Sequence, residues 1–174
     1  MSWCWWFLLT AAPLLAAAPV EQLLTEVRTA SFPELAHSKI TVRPLRGNSV
    51  FFAAQFRVVP FLFGARMRYV IRANPKAAGA SDEALRAVLA HELSHVVYYA
   101  RGKRVRLLGL VRLVSGSYRS RFERGTDLEA IRRGYGEGLK QYREWLYSVV
   151  PLKSLAGKKK DYLSPEEIAE AMKH

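Results

Sequence analysis

Apolar and polar positions alternate along this chain with two distinct periods. Val20, Leu23, Leu24 and Val27 fall on one face of a helix over Val20 to Thr29. Lys39 to Leu45 and Ser49 to Phe56 have strand composition, and Gly47-Asn48 between them is a turn signal. Val50 to Phe63 holds five Phe residues, which predicts a core hairpin because aromatic side chains dominate the buried area of small domains. Pro60 and Gly64 interrupt that stretch. Arg66 to Ala73 alternates strictly: Met67, Tyr69, Ile71 and Ala73 point one way, and Arg66, Arg68, Val70 and Arg72 the other. This is the pattern of a half-exposed strand, ended by Asn74-Pro75.

Ser81 is then an N-cap, with Asp82 and Glu83 in the electropositive first turn. The predicted helix runs from Asp82 through Leu85, Val88, Leu89, Val96 and Val97 to about Ala100, with Gly102 as its stop. Lys103 to Ser117 is basic and aliphatic. Tyr118 to about Val149 reads as helical, with weak points at Gly125, Gly134, Gly136 and Gly138. Gly157 and Lys158 to Lys160 read as a polar link. Ser164-Pro165-Glu166-Glu167 is a capping box opening a last short helix. There is no internal repeat.

The first residues follow neither period. Met1 to Ala18 contains no Lys, Arg, Asp or Glu, and Trp3 to Ala18 is shorter than the roughly 20 residues of a spanning helix. With Ala16-Ala17-Ala18 as a small-residue cleavage point, residues 1–18 read as a signal peptide or N-terminal apolar segment, and residues 19–174 as one domain. Cys4 is the only cysteine, so disulfide frameworks, cysteine-ligated metal sites and cysteine nucleophiles are excluded from the domain. A total of 27 Lys and Arg against 15 acidic residues gives a formal charge of +12, a surface suited to anions such as lipid headgroups, acidic polymers or nucleic acid, or simply a solvated basic face.

His91-Glu92-Leu93-Ser94-His95 is an HExxH motif inside a predicted helix. Side chains four apart stack on one helix face, so both imidazoles can bind one zinc ion. Glu92, one step round, can act as general base towards a water whose pKa zinc lowers. A catalytic zinc needs a third protein ligand. The metzincin spacing is absent, because Tyr98 and Arg101 stand where Gly and His would be required. Glu123 and Asp127 lie four apart downstream; Glu123 is a candidate ligand, and Asp127 a candidate acceptor that fixes the tautomer of a ligand histidine. Glu129, Glu137 and Glu144 are alternatives without such pairing.

The run Ala87-Val88-Leu89-Ala90-His91-Glu92-Leu93-Ser94-His95-Val96, with Glu123-x-x-x-Asp127 after it, resembles the gluzincin metallopeptidases. It is most similar to the branch that includes membrane-associated prenyl-protein and heat-shock proteases. The resemblance covers roughly Arg66 to Arg133. It implies His91, His95 and Glu123 as metal ligands, Glu92 as base and Asp127 as orienter. It also implies that Arg66 to Ala73, with Tyr69, Val70 and Ile71, is the edge that pairs with an extended substrate. The family's oxyanion-stabilising His, Tyr or Arg has no motif to place it; Tyr135 and Arg132, just past Asp127, are the candidates.

The expectation is therefore an α+β, zincin-like domain with a small sheet, an active-site helix and a second helix bearing Glu123. It would be an exported zinc peptidase acting on protein or peptide substrates, periplasmic or secreted, with an anionic membrane surface as a further partner and no nucleic acid. Two rivals are an exported, non-catalytic zinc-binding module on anionic partners, and an intracellular DNA-associated metalloprotease. The apolar N-terminal run opposes the last, and Glu92 has no use in the module.

Overall fold

The computed structural model describes residues 19–56, 68–101 and 116–174. The expectations for Met1 to Ala18, for Phe61, Phe63, Arg66 and Met67, and for most of Lys103 to Ser117 lie outside these residues.

α1 spans Val20–Ser31 and buries Leu23, Leu24 and Val27. A 3-10 turn over Pro33–Leu35 leads into β1, Lys39–Pro44. β2 is Phe52–Phe56 and β3 is Arg68–Ala73. The inward positions of β3 (Tyr69, Ile71 and Ala73) are buried, and Arg68 and Arg72 are exposed, as the alternation predicts.

β1 and β2 do not form a hairpin. β3 lies between them, parallel to β1 and antiparallel to β2. The connection around Gly47 therefore crosses the end of β3. Asn74, buried just past that end, holds it there: its Nδ2 donates to Gly47 O at 2.8 Å and to Val50 O at 3.3 Å. Gly47 supplies a φ of +141° that other residues rarely adopt.

α2, Asp82–Arg101, is the central element. Ser81 caps it, its Oγ accepting from Ala84 N at 3.1 Å. From Ala84 to Val97 the helix is buried on nearly every side, packed against α1, β2, α3 (Gly116–Ala130) and α4 (Gly136–Val149). Gly138 lets α4 approach closely: a Cβ there would sit 2.6 Å from Glu83 O and 3.0 Å from Ala87 Cβ. Between α3 and α4 the chain makes a π-type turn over Ile131–Tyr135, in which Gly134 takes φ +90°.

Leu152–Asp161 is helical (α5), where a polar link is expected. Gly157 and the three lysines are poor helix signals, but Asp161 anchors the helix end to α3 through Arg119 at 2.7 Å and the Ser120 hydroxyl at 2.8 Å. α6, Pro165–Ala171, begins with the predicted capping box. The described residues form a small α+β domain with one three-stranded sheet. Among the described residues, no helix is long and apolar enough to cross a membrane.

Candidate metal centre

His91 and His95 stand one turn apart on α2, with their Nε2 atoms 3.1 Å from each other. Glu123 Oε2, from α3, lies 3.2 Å from His91 Nε2 and 3.1 Å from His95 Nε2. The three donor atoms form a nearly equilateral triangle, and the group could hold a metal ion.

The tautomers follow from the outer partners. His91 Nδ1–H donates to Asp127 Oδ1 at 2.8 Å, which leaves Nε2 as the lone-pair atom of the neutral ring. The Thr126 hydroxyl donates to Phe122 O at 2.9 Å, so its own lone pairs face His95 Nδ1–H at 3.4 Å. Both Nε2 lone pairs and one carboxylate oxygen thus converge on a single point. Three converging acceptors repel one another unless a proton or a cation lies between them.

Asp127 is fully buried, yet every oxygen is used. Arg143 Nη2 donates to Oδ1 at 3.1 Å and to Oδ2 at 3.2 Å, and the Leu163 amide donates to Oδ2 at 2.9 Å. Burial alone would raise its pKa; Arg143 and His91 reverse that and hold it below the ordinary carboxylate range. Glu123 behaves likewise: burial opposes ionisation, and hydrogen bonds from His91 and His95 override it.

Burial would also lower the pKa of His91. Its hydrogen bonds to Asp127 and Glu123 more than offset this and push it up to about 10 in the metal-free protein. The shared proton therefore stabilises the metal-free fold fully below the ordinary value of 6.5, and the benefit is lost as pH rises through about 10. A metal ion must displace that proton. Titrating zinc into metal-free protein in weak buffer near neutral pH is expected to release about one proton per ion; no release would mean His91 is not a ligand.

Glu92 is buried beside this group and hydrogen-bonds none of it. Among the described residues its Oε2 has no hydrogen-bond partner. Burial raises its pKa, and the charges of His91 and His95 only partly oppose that. Glu92, His95 and Glu123 line one cavity of about 390 Å³, with Phe52, Ala53 and Ala54 of β2 on one wall and Lys158 and Tyr162 on another. The His95 ring lies between Tyr99 and Phe122, at centroid distances of 6.2 and 4.9 Å.

Several predicted positions lie elsewhere. Tyr69, Val70 and Ile71 cannot be a substrate edge, because β3 is the central strand and both its edges are bonded within the sheet. The edge strand that lines the cavity is β2. Arg132 is bound to Glu129 at 2.6 Å, and the Tyr135 hydroxyl is 2.9 Å from Ser31 Oγ; neither lines the cavity. Glu129 is engaged by Arg132 and Arg133, and Glu144 is exposed, so neither replaces Glu123.

Thr126, Arg143, Lys158 and Tyr162 belong to the site and went unread in the sequence. Arg143 left a signal: it lies within the apolar stripe of Leu139, Tyr142 and Leu146, where a cation needs a buried partner. No family model, curated protein or solved structure matches this chain.

Proposed function

We propose that the protein is an exported, zinc-dependent metallopeptidase of gluzincin type with a zincin-like fold. The observation that carries the reading is Glu92, a buried carboxylate that lines the cavity beside His95 and Glu123 and has one oxygen without a hydrogen-bond partner among the described residues. A module that only stores metal has no use for such a group.

Zinc fits the donor set. In a tetrahedral site with bonds of about 2.0–2.1 Å, ligand atoms stand about 3.3–3.4 Å apart; the three atoms here are 3.1–3.2 Å apart before any ion draws on them. When bound, zinc acidifies water and polarises a carbonyl. The chain's own residues would do the rest. Glu92 takes the proton of the attacking water and passes it to the leaving amine. Burial pushes the Tyr162 hydroxyl well above its ordinary pKa, so it keeps its proton and can donate to a developing oxyanion; with Lys158 it takes the role expected of Tyr135 and Arg132. An extended substrate would pair with β2, along Phe52 to Phe56, and so reach Glu92. Export rests on the uncharged run Met1 to Ala18.

The test is metal analysis with activity. Purified protein should carry about one zinc per chain, and should cleave an unstructured protein such as casein in a way that chelator abolishes and zinc restores. Protein that neither retains nor takes up zinc would end the proposal.

A further inference from the structure

The outer face of the sheet carries cations that form no ion pair among the described residues. β1 and β3 are paired in register, so Lys39 stands beside Arg68 and Arg43 beside Arg72. All four are exposed. Like charges in directly paired positions destabilise a sheet. Between the two cationic rows lie Thr41, Val70 and Gln55. Arg72 Nε donates to Gln55 Oε1 at 2.9 Å, but none of the four cations pairs with a carboxylate among the described residues. The space over this face, about 840 Å³, is lined by no Asp or Glu. Elsewhere the chain pairs its arginines readily: Arg86 with Glu26, Arg119 with Asp161, Arg124 with Glu167, Arg133 with Glu34. The repulsion on the sheet is thus specific to one face, opposite the one packed on α2.

We propose that this face docks on the anionic headgroups of a phospholipid bilayer. Sheets that bind single-stranded nucleic acid stack bases on exposed aromatic rings. The only aromatic residue in β3, Tyr69, points into the core and is 4% exposed. A bilayer surface requires only a field of cations. The inference does not involve the metal centre and stands apart from the peptidase reading.

The experiment measures partitioning of the full chain into vesicles of phosphatidylglycerol and phosphatidylcholine, and into vesicles of phosphatidylcholine alone. The ratio of the two cancels whatever the apolar run contributes. The parent should prefer anionic vesicles, and added salt should erase the preference. Arg43→Gln with Arg72→Gln should lower the ratio by about fivefold per cation, about 25-fold for the pair. The melting temperature should equal or exceed the parent's, because repulsion is relieved. Arg43→Lys with Arg72→Lys should retain the preference, and Glu92→Gln should partition as the parent does. Equal partitioning into both vesicle types, or an unchanged ratio in the Gln pair, would overturn the proposal. So would a single-stranded oligonucleotide that displaces the protein from vesicles at a lower phosphate concentration than the lipid presents.

Discussion

Glu92→Gln is expected to leave fold and zinc content intact while turnover falls about 10²–10⁴-fold, the usual worth of general-base help. The change is close to isosteric, so the packing of α2 is kept. Zinc retention follows from geometry: the candidate metal donors are His91, His95 and Glu123, and Glu92 hydrogen-bonds none of them. The rate loss follows from the proposed chemistry, because an amide cannot accept the proton that a carboxylate base would take. The raised pKa works in the same direction, since a carboxylate made more basic by burial is a better base wherever it remains ionised. The measurement is cleavage of casein or a peptide library by both forms, with metal content and thermal melting alongside. Equal cleavage by the two would place the hydrolysis in a contaminant or another site. Loss of zinc from the Gln form would mean that Glu92 helps to hold the metal, and the role of base would fall.

What could be read from the sequence was what short-range geometry decides. His91 and His95 are legible because the pitch of a helix alone brings residues four apart together, and the same applies to Glu123 and Asp127. The inward face of β3 is legible because a strand has a period of two. Strand pairing was not. Lys39 to Leu45 and Ser49 to Phe56 are legible as strands separated by the turn signal Gly47-Asn48, but the order of the sheet goes with Asn74 clasping the crossing loop, a contact made across 24 and 27 residues. That reordering puts β2, and not Tyr69, Val70 and Ile71, at the sheet edge beside the cavity. Tyr135 and Arg132 lie close to Asp127 in sequence, but the Tyr135 hydroxyl meets Ser31 of α1, and Arg132 is exposed and paired with Glu129. Arg133 likewise binds Ser31 O, and also Glu34 at 2.7 Å. The groups that do surround the site, Arg143, Lys158 and Tyr162, come from chain segments whose local signals describe only a helix and a link.

Removing the support behind His91 should weaken metal binding in graded steps. Glu123→Ala deletes a donor atom and should cause the largest loss of zinc affinity. Asp127→Ala leaves all three donors in place but frees the His91 ring to rotate and to change tautomer, a loss of about 10–100-fold. Arg143 acts one step further out, as a positioning residue. It is 3% exposed and holds both oxygens of Asp127. Arg143→Met would leave the Asp127 carboxylate buried without its cation, a cost of about 3–5 kcal/mol in stability. Asp127 then answers mainly to His91 and the Leu163 amide. The double variant Arg143→Met with Asp127→Asn removes both charges and should recover much of the stability, because neither partner is stranded, yet zinc affinity should stay low. A purely structural role would restore both together. Zinc competition against a chromophoric chelator gives the affinities, and urea denaturation of the metal-free forms gives the stabilities. If Arg143→Met binds zinc as tightly as the parent while still folded, the chain from Arg143 through Asp127 to His91 does not orient the ligand. If Asp127→Ala also binds normally while Glu123→Ala does not, the orientation of His91 resides in the helix packing alone.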